Sequence, residues 1–190
     1  MIKPCCKGKV AALRYADDEV ICCEYEEDAI RIRAALGTRL AKFKLQLNED
    51  KTKLVPFDKR KENQGTFDFL GFTFYWGRSR KMRVIPKLKT RGKTMRTKLS
   101  KVTQWIKQER NKRPLKEIWK SFCSKMRGHV QYYGVSHNTR SINKFLYQSR
   151  HILFKWLNRV SQKKSFNWKQ FDIFNLKNPM PIVRIVDKLF

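Results

Sequence analysis

The stretch "AALRYADDEVICC", Ala11–Cys23, places two adjacent aspartates between two short apolar runs. Apolar runs on both sides of a small polar pair predict a strand, a tight turn and a second strand. Aspartate is common in turns for local reasons, so the pair fits a polar hairpin turn. Carboxylates on such a rigid support also fit the binding of Mg²⁺, which prefers oxygen ligands. The stretch predicts a hairpin and leaves both interpretations of Asp17 and Asp18 open.

The rest of the first half mixes one helix with short strands. From Glu26 to Phe43, apolar residues recur at steps of three and four after acidic residues that suit a helix N-terminus. Residues 46–57 are predicted to be extended or turn. The aromatic run "FDFLGFTFYW" at 67–76 predicts a strand pair or a strand kinked at Gly71. The first half is therefore predicted to be α+β.

The second half has the clearest helical periodicity in the chain. A basic connector at 77–93 contains Pro86, and we place a domain boundary near residue 86. Three amphipathic helices are predicted after it, the second starting at Pro114 and the third after a cap at Asn138 and Thr139. The third helix is expected to pack one face and to expose a cationic strip on the other. We expect a three-helix bundle, with the tail packing back on it as irregular structure.

Charge decides the class of partner. The 190 residues carry a net charge of +28. Residues 87–190 hold 26 Lys+Arg and 4 Asp+Glu, whereas residues 1–86 hold 18 and 12. Such an excess predicts a polyanionic partner, with nucleic acid the commonest. No apolar run approaches the ~18 residues of a membrane span, so no membrane partner is expected.

The cysteines point to a reducing compartment. The five of them comprise two adjacent pairs and one lone residue, with no CxxC motif. This arrangement excludes a disulfide framework and a zinc site of the usual kind. We expect a cytoplasmic or otherwise intracellular location, of bacterial type or in an organelle.

Three motifs in the first half resemble consecutive motifs of group II intron reverse transcriptases, in the same order and at the same spacing. They are "RYADD" at 14–18, "LQLNEDKTKLV" at 45–55 and "FDFLGFTF" at 67–74. The segments "PLKEIWKSFCSKMRGHVQYYGVSHNTRSINKF" and "KWLNRVSQKKSFNWKQF" are similar to the thumb and the maturase domain, also called domain X, that follow the palm in that family. The resemblance implies a partial polymerase palm at 1–86 and a thumb with domain X at 87–190.

The resemblance also implies roles for single residues. Asp17 would be the Mg²⁺ ligand of the palm turn and Asp18 its weaker companion. Lys51 would contact the nucleotide triphosphate. The primer end would be held by Phe69, Leu70 and Gly71. The structural alternatives to these roles are that Lys51 is an exposed lysine in a charged turn and that Phe69 is a core residue.

Two residues depart from the family pattern, one beside the expected catalytic centre and one in the basic strip of the second half. Glu19 stands where the family usually has an aromatic or aliphatic residue, and Val160 where a second arginine is common. In addition, residues 1–16 contain no acid, although the family places another essential aspartate on an upstream palm strand. A two-metal site without a main ligand is expected to be inactive. We therefore expect the C-terminal part of such a protein, inactive alone as a nucleotidyltransferase.

Three functions follow from these observations. The first is a maturase-type protein that binds group II intron RNA and assists its folding and splicing. The second is an active RNA-directed DNA polymerase, using two Mg²⁺ ions on a primer-template, if an associated chain supplies the upstream palm and fingers. The third is a generic basic helical RNA- or DNA-binding protein, which explains the charge but not the three motifs.

Cations and aromatic residues in the second half are the RNA-binding candidates, because cations bind phosphates and aromatics stack on unpaired bases. Two of them have a structural alternative: Tyr133 fits the core stripe of the second helix, and Trp168 is placed to anchor the tail. The full set is Arg127, Tyr132, Tyr133, Lys144, Lys155, Arg159, Lys163, Lys164 and Trp168.

Overall fold

The computed structural model describes residues 6–60, 65–159 and 167–188. Lys163 and Lys164 lie outside these ranges. In chain order the elements are β1 (Val10–Tyr15), β2 (Asp18–Cys23), α1 (Glu26–Ala41), β3 (Phe67–Phe69), β4 (Phe72–Arg78), β5 (Val84–Thr90), α2 (Gly92–Glu109), α3 (Leu115–Tyr133), α4 (Thr139–Leu157) and α5 (Trp168–Lys177). Helices and two small antiparallel sheets occur together, which confirms the α+β class. No described helix combines the length and the apolar character that crossing a membrane requires.

The contacts divide the chain into two units. The first comprises Met1–Leu70 and Phe74–Pro86, and the second comprises Gly71–Thr73 and Lys87–Phe190. The chain passes from one unit to the other after Leu70, Thr73 and Pro86. The division near Pro86 coincides with the basic connector, of which residues 84–90 form strand β5.

The first unit begins with the predicted hairpin. Strands β1 and β2 pair antiparallel in the register Val10↔Cys23 to Tyr15↔Asp18, so a two-residue turn joins them. The hairpin is largely exposed: Leu13 and Tyr15 on β1 are 62% and 65% exposed. Helix α1 follows with three acids in its first turn, where they complement the positive end of its dipole.

Asp28, in the first turn of α1, binds the backbone at Lys7 and Gly8, just before β1. Its carboxylate is fully buried and accepts the backbone N–H groups of Lys7 at 3.1 Å and Gly8 at 2.9 Å. These two hydrogen bonds stabilise the charged form and hold the pKa of Asp28 below its usual value. A buried acid in the first turn therefore has a structural role in holding the segment that leads into β1.

The second unit is a helical bundle with one helix more than predicted. Helices α2, α3 and α4 correspond to the three predicted helices, and their apolar stripes supply the core. The buried core side chains include Val102, Ile106, Ile118, Phe122, Met126, Val130, Ile142, Phe145 and Leu153. Sequence periodicity placed these residues correctly because each stripe repeats at steps of three and four over several turns.

The tail is only partly irregular, and the prediction for it was wrong over one segment. Trp168–Lys177 forms α5, which begins with a capping box between Asn167 and Gln170. Phe171 on this helix is fully buried. Beyond α5 the chain is irregular and returns to the bundle, where Val135 and Asp187 form a parallel bridge. The helix was missed because its ten residues mix aromatics with amides and have a short apolar stripe.

Asn138 is at the N-cap position of α4, as predicted, but its side chain does not cap the helix. The buried amide accepts the backbone N–H of Thr90 at 2.8 Å and donates to the carbonyl of Tyr133 at 2.9 Å. Its Nδ2 also donates to the Thr90 hydroxyl at 3.0 Å. Asn138 thus joins the end of β5 to the end of α3 within the second unit.

Candidate functional site

The aspartate turn is an exposed hairpin tip. Ala16 and Asp17 form the turn, and Ala16 adopts a left-handed φ of 49°. Asp18 is the first residue of β2 and lies opposite Tyr15. The Arg14 guanidinium donates a hydrogen bond to the Ala16 carbonyl at 3.1 Å, which stabilises the turn. Both carboxylates are exposed, so the geometry makes them available to a ligand in solvent.

The described residues do not by themselves supply a two-metal centre. Such a centre needs several oxygen ligands around ions a few ångströms apart. Across residues 6–60, 65–159 and 167–188, no group of three or more histidine, cysteine, aspartate or glutamate side chains is arranged to hold a metal ion. Asp17 and Asp18 alone therefore do not fit the two-metal site that the resemblance implies.

Lys51 lies in a separate loop of the first unit. Its backbone N–H donates to the carbonyl of Asn48 at 3.1 Å, which forms a turn after α1. The side chain is exposed. This geometry fits a lysine available to a phosphate and equally fits a solvated turn residue, and its contact with a nucleotide stays a prediction.

The predicted primer-holding residues form a tight turn between β3 and β4. Phe69 is buried, and Leu70 and Gly71 both adopt positive φ, at 50° and 79°. Two positive φ values in succession define the mirror-image turn that suits a two-residue hairpin. A glycine is needed at position 71 for a second reason, because a Cβ there would lie 2.8 Å from the Tyr133 hydroxyl.

Residues from two separate predictions meet in the second unit. Gly71, one of the predicted primer-holding residues, lies beside Tyr133, and its neighbour Phe72 contacts both Tyr132 and Tyr133 of the predicted RNA-binding set. Phe72 lies 6.0 Å from Tyr132 and 5.1 Å from Tyr133 between ring centroids. Tyr133 is only 3% exposed and Tyr132 is 54% exposed. The contacts therefore favour the core alternative for Tyr133. Tyr132 contacts the same cluster, but about half of the residue is exposed to solvent.

Two basic groups border this aromatic cluster. Lys98 on α2 places its Nζ 5.0 Å from the Tyr133 ring centroid, and burial followed by repulsion from Lys101 lowers its pKa. His129 lies between Tyr133 and Phe145, with ring centroids at 4.6 and 3.6 Å. Burial, with a smaller contribution from Lys98, lowers the pKa of His129 to about 3. The histidine is therefore neutral at physiological pH.

The remaining cationic candidates lie on the surface of the second unit. Arg127, Lys144, Lys155 and Arg159 are all exposed. His151 lies on the same face of α4 as the predicted cationic strip. It is half-buried, whereas Lys144 and Lys155 are exposed. Its ring lies 4.7 Å from that of Trp168. Charge is available to solvent at four of the predicted positions.

Trp168 is both packed and partly open. It stacks on Phe154 with ring centroids 3.7 Å apart and an interplanar angle of 19°. The Arg150 guanidinium lies 5.8 Å from the Trp168 ring centroid and pairs with Asp172 on α5. With 39% of the residue exposed, Trp168 anchors α5 while keeping part of its surface open. The anchoring alternative is thus supported by direct contacts.

Sequence reasoning missed Lys107 and Arg110. Both lie close to Trp156: the ring centroid is 4.6 Å from Lys107 Nζ and 5.1 Å from Arg110 Cζ. Their three-residue spacing predicts that they lie about one turn apart on the same face at the end of α2. This spacing was the sequence feature that could have identified them as a pair. The approach of that end to α4 depends on tertiary packing and was not predictable from spacing.

The comparisons with known proteins concern the first unit most directly. Residues 1–74 match a family model described as reverse transcriptase (RNA-dependent DNA polymerase). This part of the chain is therefore similar to reverse transcriptases, which are RNA-directed DNA polymerases. Neither the curated proteins nor the solved structures compared with the chain gave a match.

Proposed function

We propose that the chain is a maturase-type protein that binds group II intron RNA and assists its folding and splicing. The observation that carries the proposal is the uncompensated positive charge of the second unit. Residues 87–190 hold 26 Lys+Arg against 4 Asp+Glu, so pairing inside this region leaves most of the cations without a counter-charge. Cations of this kind bind a phosphate backbone and release its counter-ions.

Exposed aromatic surface beside the cations supports RNA over duplex DNA as the partner. Tyr132 and Tyr147 are 54% and 62% exposed. Lys144 is three residues before Tyr147 on α4, so the two side chains are neighbours on one face of that helix. Folded introns present unpaired bases in loops, and such bases stack on aromatic rings. The family match at 1–74 supports a relation to reverse transcriptases. The group II intron origin and the palm, thumb and domain X assignments are part of this proposal.

The test is binding and splicing measured together. A group II intron transcript and an unrelated structured RNA of equal length are titrated with the protein at several salt concentrations. We expect the association constant to fall steeply with salt, because phosphate contacts release counter-ions. We also expect the intron to be bound more tightly than the unrelated RNA, and its splicing to proceed at a lower Mg²⁺ concentration when the protein is present.

Two outcomes would count against the proposal. Affinity that does not change between low and moderate salt would remove the phosphate-contact argument. Equal affinity for both RNAs, together with unchanged splicing, would reduce the protein to the generic basic binder. The comparison separates the two because splicing requires a productive RNA fold, whereas charge alone supplies only non-specific affinity.

A further inference from the structure

Three cations surround one tryptophan at the end of the second unit's bundle. The centroid of the Trp156 ring lies 4.6 Å from Lys107 Nζ, 5.1 Å from Arg110 Cζ and 4.8 Å from Arg159 Cζ. Lys107 lies in the last turn of α2 and Arg110 is its C-cap residue. Trp156 lies in the last turn of α4, and Arg159 follows the C-cap residue of that helix. The cluster therefore depends on the meeting of two helix C-termini.

Helix dipoles explain part of this arrangement but not all of it. A helix C-terminus attracts cations, which accounts for one basic residue at each end. Three charges around one ring also repel one another, and each pair lies within a Debye length, about 10 Å at 0.1 M salt. Repulsion at this range is poorly screened. A bound anion would relieve it.

No acid in the described part of the chain pairs with the cluster. Glu109, the adjacent acid in α2, forms an ion pair with Arg113 at 3.0 Å. Residues 160–166, which follow Arg159, add two lysines and no acid. The local sequence thus adds positive charge and no compensating carboxylate.

Backbone contacts hold the central guanidinium in place. Arg110 Nη1 donates to the carbonyls of Trp156 at 3.4 Å and Arg159 at 3.2 Å. Its Nε is buried and donates to no acceptor in the part of the chain that the structure describes. Lys107 and Arg159 are exposed, so they can reach a ligand from solvent. A fixed arginine flanked by two accessible cations is suited to an oxyanion, which accepts several charge-assisted hydrogen bonds.

We propose that Lys107, Arg110 and Arg159 form a phosphate-binding site around Trp156 that holds a phosphodiester of the bound RNA. The inference rests on the proposed function for the identity of the ligand, since the polyanion is RNA. The chemistry recognised is the phosphate oxygens and not the base. The same site therefore also binds free inorganic phosphate weakly, and the test separates these two sources.

The test compares two double variants with equal loss of charge. The site variant is Lys107→Gln with Arg159→Gln, which keeps Arg110 because of its backbone contacts. The control is Lys116→Gln with Arg140→Gln, a lysine and an arginine exposed elsewhere on the second unit. The measurement is the affinity for polyuridylate as a function of salt, and thermal melting of each variant checks the fold.

We expect the site variant to bind polyuridylate about tenfold more weakly, because hydrogen bonds to charged groups contribute strongly to binding. The control is expected to lose less than about fivefold, as isolated exposed charges do. A parallel titration with inorganic phosphate follows the indole N–H resonance of Trp156, assigned with Trp156→Phe. That resonance should shift in the wild type and stay unchanged in the site variant.

Each result has one meaning. Equal losses in the two variants would overturn the site and leave RNA binding by the chain intact. A wild type that binds neither polyuridylate nor intron RNA, but whose Trp156 resonance shifts with phosphate, would overturn the proposed function and the RNA ligand together. No shift with phosphate and no selective loss of affinity would overturn the site altogether.

Discussion

At the scale of single residues, Gly71 is the position where backbone conformation and packing restrict the side chain together. Its φ of 79° favours glycine, and a Cβ would lie 2.8 Å from Tyr133 Oη but 3.7 Å from the next ring atom. The oxygen alone therefore creates the close contact. Removing it should leave only the cost of the backbone conformation.

We predict that Gly71→Ala lowers the free energy of unfolding by about 2–3 kcal/mol, combining left-handed strain with overpacking. In the Tyr133→Phe background the same change should cost about 1 kcal/mol less. Chemical denaturation of the four proteins of this double-mutant cycle measures the difference. Additive effects would show that the hydroxyl does not limit the space at position 71.

His129 makes stability depend on pH. With a folded pKa of about 3 and an unfolded pKa near 6.5, only the unfolded chain takes up a proton between these values. The contribution of His129 to the free energy of unfolding is therefore present in full above about pH 6.5 and decreases as the pH is lowered. From pH 7.5 to 5 the loss from this group is about 2 kcal/mol.

We predict that His129→Leu removes this component of the pH dependence. Denaturant titrations of wild type and variant at pH 7.5 and 5 measure it, and the difference between the two proteins cancels most contributions from other groups. His151→Leu is the control, because that ring is only half-buried. A wild-type stability that falls no more than that of His129→Leu would show that position 129 is not the source.

At the scale of elements, the link from β5 to α3 depends on one buried amide. Removing the Asn138 side chain leaves the Thr90 N–H and the Tyr133 carbonyl without their partner. Leaving buried polar groups unpaired costs about 1–3 kcal/mol each. We predict that Asn138→Ala lowers the free energy of unfolding by about 3 kcal/mol. Thermal and denaturant unfolding measure this.

The matched control is Asn143→Ala, on the exposed face of α4. That change should alter the free energy of unfolding by less than about 0.5 kcal/mol. Asn138→Asp is a second comparison, since it keeps the acceptor for Thr90 and loses the donor to Tyr133. Full stability of Asn138→Asp would mean that the bond to Tyr133 contributes little.

Elements with a strong local signal were predictable from sequence, and those that depend on distant contacts were not. The hairpin at Asp17, the strand pair at Gly71 and the stripes of α2 to α4 repeat local patterns. Helix α5 was missed because a capping box at Asn167 and the burial of Phe171 define it more than periodicity does. The use of Asn138 as a link, and not a cap, depends on Thr90, 48 residues away.

The features of the candidate site also fall into those that local sequence predicts and those that depend on distant contacts. Sequence placed Asp17, Lys51 and the cations of α4 at exposed positions, where a ligand can reach them. It did not show that Gly71 and Tyr133 are in contact, nor that Lys107 and Arg110 meet Trp156. Each of these contacts joins segments that are distant in sequence. Residue spacing within one helix or strand holds no information about such contacts.

At the scale of the whole molecule, the family match and the charge point to different activities. Residues 1–74 match a polymerase family, whereas the cations are concentrated after residue 86. We predict no Mg²⁺-dependent primer extension by this chain alone, because the described acids form no metal-binding group. A labelled DNA primer on an RNA template provides the measurement.

The control for this prediction is Asp17→Ala. The variant and the wild type should be indistinguishable from a reaction without protein. Extension by the wild type that Asp17→Ala abolishes would establish the enzyme and contradict the expectation of inactivity. RNA binding by both proteins should be equal, since the proposed contacts lie in the second unit.

The amide of Asn138 also has a consequence for the order of folding. Its bond to Thr90 closes a loop of 48 residues that contains the whole of α2 and α3. Closing such a loop costs more entropy than forming a helical turn, so we expect this bond to form after helices α2 and α3, which the loop contains. An interaction that is absent from the folding transition state changes mainly the rate of unfolding. If the bond is absent from that transition state, we expect changes at Asn138 to alter the rate of unfolding of the second unit more than its rate of folding.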